Sequence, residues 1–185
     1  MRFVQGRTQA GFSLVEQIMV LAVLAVLAGI AMPSMARLLG NHRLQAVQFD
    51  YLAAMRYARA EAVQAGTRVL LCPSRDGNHC GGGADWNRGW LLALDRDHDG
   101  HPDGAPLRVR RLDGKLTVLG SSGRDRVRFL PDGSALGSNL SLLLCSRDAP
   151  GSALLVVVSN AGRARGGVAT PAQVASCAAA ATAST

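Results

Sequence analysis

The most pointed chemical signal in the chain is a pair of arginines among glycines, Gly162-Arg163-Ala164-Arg165-Gly166-Gly167. In an extended segment, side chains two apart share a side, so Arg163 and Arg165 would project together. Two guanidinium forks, planar and permanently charged, can grip adjacent phosphates. Flanking glycines let another backbone approach closely. Asn160 and Gly162 tolerate positive φ and permit a sharp turn after a strand. The competing reading is a solvated basic hairpin end, or a tail that pairs with a neighbouring subunit. Two further basic stripes stand beside this motif. Arg124, Arg126 and Arg128 alternate with Asp125, Val127 and Phe129; on a strand the arginines would share one face while Val127 and Phe129 face the core. Arg108, Arg110 and Arg111 form a similar cluster. Such stripes are commonly solvated faces, and they extend a phosphate-binding track only if the fold brings them near Arg163. Trp86 and Trp90 offer rings on which bases can stack, although Trp90 lies in an apolar run and suits a core.

Other chemistry is thinner. Asp95-Arg96-Asp97-His98-Asp99-Gly100, followed by Asp103, resembles the start of a calcium loop. An EF-hand needs a bidentate glutamate at its twelfth position, and counting from Asp95 that position is Pro106. A polar Asp/Gly turn or a looser calcium site remains, and no metal is assigned. His42, His79, His98 and His101 are scattered, with no thiol or hydroxyl partner in view. The chain reads as a non-enzyme without a cofactor.

The composition is compatible with a phosphate-binding surface. The formal charge is +7 over 185 residues, and Lys115 is the only lysine. Codon bias in a GC-rich genome explains an Arg-rich composition equally well. Hydrophobic residues make up 48% but aromatics only 4%, so the core must rest on Leu, Val and Ala. Cys72, Cys80, Cys145 and Cys177 are even in number and lie outside the apolar segment, as disulfides in an oxidising compartment would. Spacing does not fix their pairing; Cys72–Cys80 with Cys145–Cys177 is preferred because it joins near neighbours and leaves no thiol free.

The elements that must position these residues begin with a long helix. A short basic leader, residues 1–11, precedes an almost wholly apolar run from Phe12 to Met32, interrupted by Ser13, Glu16 and Gln17. At about 1.5 Å per residue this run spans roughly 30 Å, the thickness of a bilayer core. The basic flank should stay cytoplasmic, leaving the rest outside. An ordinary secretory signal ends in a small-x-small site after its apolar region; here the small residue, Gly11, comes before it. Cleavage there would remove the leader and keep the membrane helix. A carboxylate at Glu16 needs a partner at that depth, and a new amino group on Phe12 would supply one. From Ser34 to Gly66 the pattern stays helical, with Leu44, Val47, Tyr51, Met55, Ala58, Ala62 and Ala65 on one stripe. Gly66 is a C-cap candidate, and Gly40-Asn41 a softer point. Counted with the membrane half, the helix would measure roughly 80 Å.

After Gly66 come short runs separated by turn residues: 67–72, 89–94, 106–112, 116–119, 126–130, 140–144 and 154–158. One long helix followed by many short strands reads as α+β with antiparallel sheet. The divisions are a leader at 1–11, a membrane helix at 12–33, an amphipathic helix at 34–66, a β-rich head at 67–177 and a loose tail at 178–185.

Gly11-Phe12-Ser13-Leu14-Val15-Glu16 after a basic leader resembles the class III signal of type IV pilins and type II secretion pseudopilins. Pro33 matches the proline those families carry where the helix leaves the bilayer. Cys72-Pro73-Ser74, Asp76-Gly77 and Cys80, then Trp86 to Trp90, Phe129 to Gly133, and Leu154 to Arg163 follow the order of landmarks in the FimT/GspH family. This resemblance implies the type IV pilin fold, with two antiparallel β-sheets packed on the helix. It implies cleavage after Gly11 by a prepilin peptidase, methylation of Phe12, and docking of other pilins or pseudopilins guided by Glu16. The expected location is the bacterial inner membrane, single pass, with the head in the periplasm, and after assembly in a pilus or pseudopilus. Gly162, Arg163 and Arg165 match the Gly-Arg-x-Arg motif of DNA-binding FimT minor pilins of natural transformation, with Arg124, Arg126 and Arg128 as further candidates. The resemblance leaves a second reading: a GspH-like structural part of a type II secretion system.

Overall fold

A computed structural model describes residues 13–147, 149 and 151–182. The leader, with Gly11 and Phe12, lies outside them. Helix α1 runs over Leu14–Ala65, and the chain divides into one unit through Ala36 and another from Arg37. In the first unit, Ser13 starts the helix by accepting from Val15 N at its hydroxyl and from Gln17 N at its carbonyl. The segment that follows is long and apolar enough to cross a membrane. Its large side chains, among them Leu14, Ile18, Leu21, Leu24, Leu27 and Ile30, are exposed, and so is Glu16.

In the second unit α1 buries Leu44, Val47, Tyr51, Met55, Ala58 and Ala62 of the stripe read from the sequence and adds Leu52 and Ala54, while Ala65, the last residue of that stripe, is exposed at the helix end. Gly66, at φ 61°, ends it in the left-handed conformation that a C′ glycine adopts without strain. Gly40 is a site of close packing within the helix: a Cβ there would stand 3.1 Å from Ala149 Cβ and Ser146 Oγ.

Among the described residues two four-stranded sheets follow. The first orders β3 (Arg108–Arg111), β2 (Gly89–Asp95), β1 (Arg68–Pro73) and β5 (Val127–Phe129). The second orders β4 (Leu116–Gly120), β6 (Leu140–Ser146), β7 (Ala153–Val158) and β8 (Ala164–Val168). All pairings are antiparallel. Alternate residues of both sheets meet α1 in one core, with Val69, Leu71, Leu92, Val127 and Phe129 from the first sheet and Val118, Leu142, Val156 and Val158 from the second. Leu140 opposite Val158, and Val156 opposite Gly166, fix the register of the second sheet.

Three sequence expectations change here. Residues 178–182 are not a loose tail: they belong to helix α2, Pro171–Thr182. Thr170 and Gln173 form a capping box, with Thr170 N donating to Gln173 Oε1 at 2.8 Å and Gln173 N to Thr170 Oγ1 at 3.4 Å. Pro171 holds the first helical position, where its missing N–H costs nothing. Alanines favour the helix beyond it, and Cys177 pins it to Cys145 on β6. Second, residues 164–168 form a strand although two are glycines. Third, Trp86 is buried at 6.2 Å from the Tyr51 ring and cannot stack on a base, whereas Trp90, at 6.1 Å from the same ring, lies in the core as its apolar run suggests. Burial also pushes the Tyr51 hydroxyl far above the ordinary phenol range.

Candidate nucleic-acid interface

The β7–β8 hairpin is closed by Asn160, Ala161 and Gly162. Gly162 N donates to Ser159 O at 2.8 Å and Ser159 N to Arg163 O at 3.1 Å. With Gly162 at φ 71°, this is a tight turn completed by a left-handed glycine bulge. The glycine is also required by packing, because a Cβ on Gly162 would overlap the carbonyl oxygen of Gly133 in the turn after β5. Ala135 N donates to Asn160 O at 2.8 Å. The hairpin tip therefore rests on the Pro131–Ser134 turn.

Strand alternation then sorts the side chains. Ala164 packs toward the core, and a Cβ on Gly166 would lie 3.0 Å from Gln48 Nε2 and 3.2 Å from Leu52 Cδ1 of α1. Gln48 Nε2 reaches past Gly166 to donate to Leu155 O at 2.8 Å and Gly167 O at 3.0 Å. Arg165, opposite Val157, and Arg163 take the other face of the sheet. Both are exposed. Among the described residues neither guanidinium has a hydrogen-bond or ion-pair partner, so both sets of donors are free for an anion.

The three arginines of the second stripe do not share one strand. Only Arg128 lies in β5; Val127 and Phe129 on either side are buried, as the alternation predicts. Arg124 donates to Gly137 O at 2.8 Å and approaches Asn139 Oδ1 at 3.5 Å. Asn139 precedes Leu140, so by register it lies beside Ser159, and Ser159 lies beside Arg163. Two strand spacings, about 10 Å, separate the Asn139 and Arg163 backbones, so Arg124 joins the row of the hairpin arginines. Arg126 is occupied: it pairs with Asp125 at 2.8 Å and donates to Gly100 O. The hydrogen bond from Arg126, opposed by desolvation and helped by its charge, holds the Asp125 carboxyl below its ordinary range. Arg124, Arg126 and Arg128 do rim one depression of about 200 Å³, together with Asp99 and Asp125.

The third stripe lies on β3, separated from β5 by two strands, and its cations are engaged. Arg110 pairs with Asp50 at 2.9 Å, Arg108 sits 4.0 Å over the Tyr57 ring, and Arg111 donates to Asp76 O at 3.0 Å. It does not extend the track.

The remaining sequence candidates fall elsewhere. Disulfides join Cys72 to Cys80 and Cys145 to Cys177. Carboxylate oxygens of Asp95, Asp97 and Asp99 lie within 4.8 Å of one another. Asp95 is fully buried and already paired with Arg68 at 3.3 Å, while Asp103 Oδ2 accepts from Arg96 N and Asp97 N. These bonds account for the turn as a self-contained loop. Sequence reading missed β8 itself, since Gly166 and Gly167 carry no strand propensity; the signal was the run of β-branched residues in β7, which needed a second edge.

Residues 50–162 match the family profile described as type II transport protein GspH, and residues 6–32 match the prokaryotic N-terminal methylation motif. No curated protein sequence matches the chain. Among solved structures, the chain resembles the type IV minor pilin FimU of Pseudomonas aeruginosa. That likeness has 21% identity and a TM-score of 0.55, and covers 70% of this chain and 90% of that one. It also resembles the minor pseudopilin EpsH from the type 2 secretion system of Vibrio cholerae, at 13% identity and a TM-score of 0.50, covering 68% and 96%. At these identities the likeness establishes the long-helix, two-sheet pilin fold. Because the GspH profile spans well over half of the sequence and the methylation motif precedes it, the chain belongs to the GspH family and is a minor pilin or pseudopilin of that type.

Proposed function

We propose that this chain is a FimT-type minor pilin that joins a type IV pilus and binds DNA, without sequence preference, for uptake in natural transformation. The observation that carries the reading is the pair of exposed guanidiniums of Arg163 and Arg165, without partners among the described residues, on one face of the β7–β8 hairpin, with Arg124 in the same row. Such a site recognises phosphates and carries no groove code. In this reading the prepilin peptidase cuts after Gly11 and Phe12 is methylated. Glu16 then guides docking onto neighbouring pilins. The apolar helix crosses the inner membrane once, with the disulfide-bonded head in the periplasm. Loss of Arg2 and Arg7 with the leader takes the formal charge from +7 to +5. That modest charge implies weak, salt-sensitive binding.

The test is a gel-shift titration of the full chain, in neutral detergent, with an arbitrary DNA duplex. Two to three phosphate contacts make affinity fall about 10- to 40-fold between 50 and 200 mM salt. Arg163→Gln with Arg165→Gln should remove the shift while the melting temperature holds. Binding by the double variant equal to that of the parent would refute the site. The second reading, a structural pseudopilin of a type II secretion system, is favoured by the description of the matching family. It predicts that deletion impairs protein secretion and leaves transformation intact.

A further inference from the structure

The hairpin tip has a further cation beside it that the Gly-Arg-x-Arg pattern does not contain. Gly162 lies so close to the Gly133 carbonyl that no Cβ fits between them. On the other side of Gly133, the position of a Cβ would be 3.0 Å from Arg59 Nε and 3.6 Å from Arg59 Cγ. Arg59 of α1 is therefore separated from the turn by the thickness of one glycine backbone, although Arg59 and Arg163 stand 104 positions apart in sequence. Its side chain is partly exposed. Among the described residues its guanidinium has no hydrogen-bond or ion-pair partner. Its stem lies along the buried Gly133, with Val63 beside it, which limits the rotamer entropy lost on gripping a ligand. The nearby acid is Asp132, whose carboxylate is turned to its own loop, accepting from Ser134 N at 2.8 Å. Its pKa is lowered first by that backbone hydrogen bond, and the charge of Arg59 is the smallest of the causes.

We propose that Arg59 is a phosphate-binding residue of the hairpin site. A nucleic-acid backbone crossing the tip at Asn160 and Ala161 meets Arg59 on the helix side and Arg163 with Arg165 on the sheet side. The inference rests on the DNA reading above and deepens it: the site straddles helix and hairpin, and the Gly133–Gly162 contact sets its width.

The experiment measures duplex DNA affinity of the full chain in neutral detergent across 50–200 mM salt. It compares the parent, Arg59→Gln, Arg59→Lys, Arg163→Gln with Arg165→Gln, and Lys115→Gln. Lys115 adjoins β4, the opposite edge of the second sheet, so its variant controls for net charge. One lost phosphate contact should lower the slope of log affinity against log salt by about 0.9 and weaken binding up to about fifteenfold at 50 mM. Arg59→Gln is expected to show both effects with an unchanged melting temperature. Arg59→Lys should restore the slope, and Lys115→Gln should stay within about twofold of the parent. If the parent binds and the double arginine variant fails, but Arg59→Gln keeps the parental slope, the Arg59 assignment is overturned and the DNA reading stands. A loss that Arg59→Lys does not restore also overturns it, since that marks support of the turn and not a phosphate contact. No binding by the parent overturns both.

Discussion

Replacing Gly162 by alanine separates the structural role of this glycine from the chemistry of the arginines beside it. Two penalties apply. A residue with a Cβ held at φ 71° costs about 1–2 kcal/mol. The new methyl must also displace the Gly133 carbonyl, a rigid backbone group, and overpacking of that kind costs about 1–3 kcal/mol. The sum is about 2–5 kcal/mol. Gly137 supplies the comparison, because at φ 73° it carries the same backbone strain with nothing within 4 Å of its Cβ position. Gly137→Ala should therefore cost about 1–2 kcal/mol. Gly167 has open space and no positive φ, and its alanine variant should be neutral within about 0.5 kcal/mol. At about 2–4 °C per kcal/mol for a unit of this size, Gly162→Ala should melt about 4–20 °C below the parent. Near-ultraviolet circular dichroism of the buried Trp86 and Trp90 in the full chain would report it. If Gly162→Ala melts no lower than Gly137→Ala, the hairpin does not rest on the Gly133 turn, and the placement of Arg59 beside that turn falls too.

Two further outcomes test other parts of the head. The disulfides close loops of unequal length, 32 residues for Cys145–Cys177 and 8 for Cys72–Cys80. The chain-entropy estimate assigns them about 4 and about 2.5 kcal/mol. Cys145→Ala with Cys177→Ala should therefore lower the melting temperature more than the other pair, and should open α2 to limited proteolysis. Acid should act through Asp76, whose carboxyl lies far below its ordinary range. The His79 side chain is the main cause, followed by the backbone N–H groups of His79 and Asn78. A depressed carboxylate stabilises the fold above its unfolded value, about 3.9, and loses that contribution as pH falls through its folded value. The melting-temperature gap between the parent and Asp76→Asn should accordingly be constant near neutrality and close below about pH 4. A gap that widens on acidification would contradict the hydrogen-bonded loop.

Local chemistry accounts for what the residues alone determined. The apolar run to Met32, the stripe from Leu44 to Ala62 and the cap at Gly66 depend on period and on glycine's access to positive φ, and both are written in neighbouring residues. The burial of Val127 and Phe129 around Arg128 is a period-two pattern of the same kind. Sequence reading misses helix α2: the alanine-rich ending reads as loose, although the preferred Cys145–Cys177 bridge and the Thr170–Gln173 capping box both hold it. What sequence could not supply is which cations meet. Arg108, Arg110 and Arg126 look as free as Arg163 in the sequence, yet Tyr57, Asp50 and Asp125 respectively engage them. Arg124 enters the row of Arg163 only through the β6–β7 register, and the Arg59 side chain lies against Gly133, the turn on which the hairpin tip rests. A charge becomes a site through its neighbours in space, and strand order, register and the clearance of a missing Cβ are fixed only when the whole core packs.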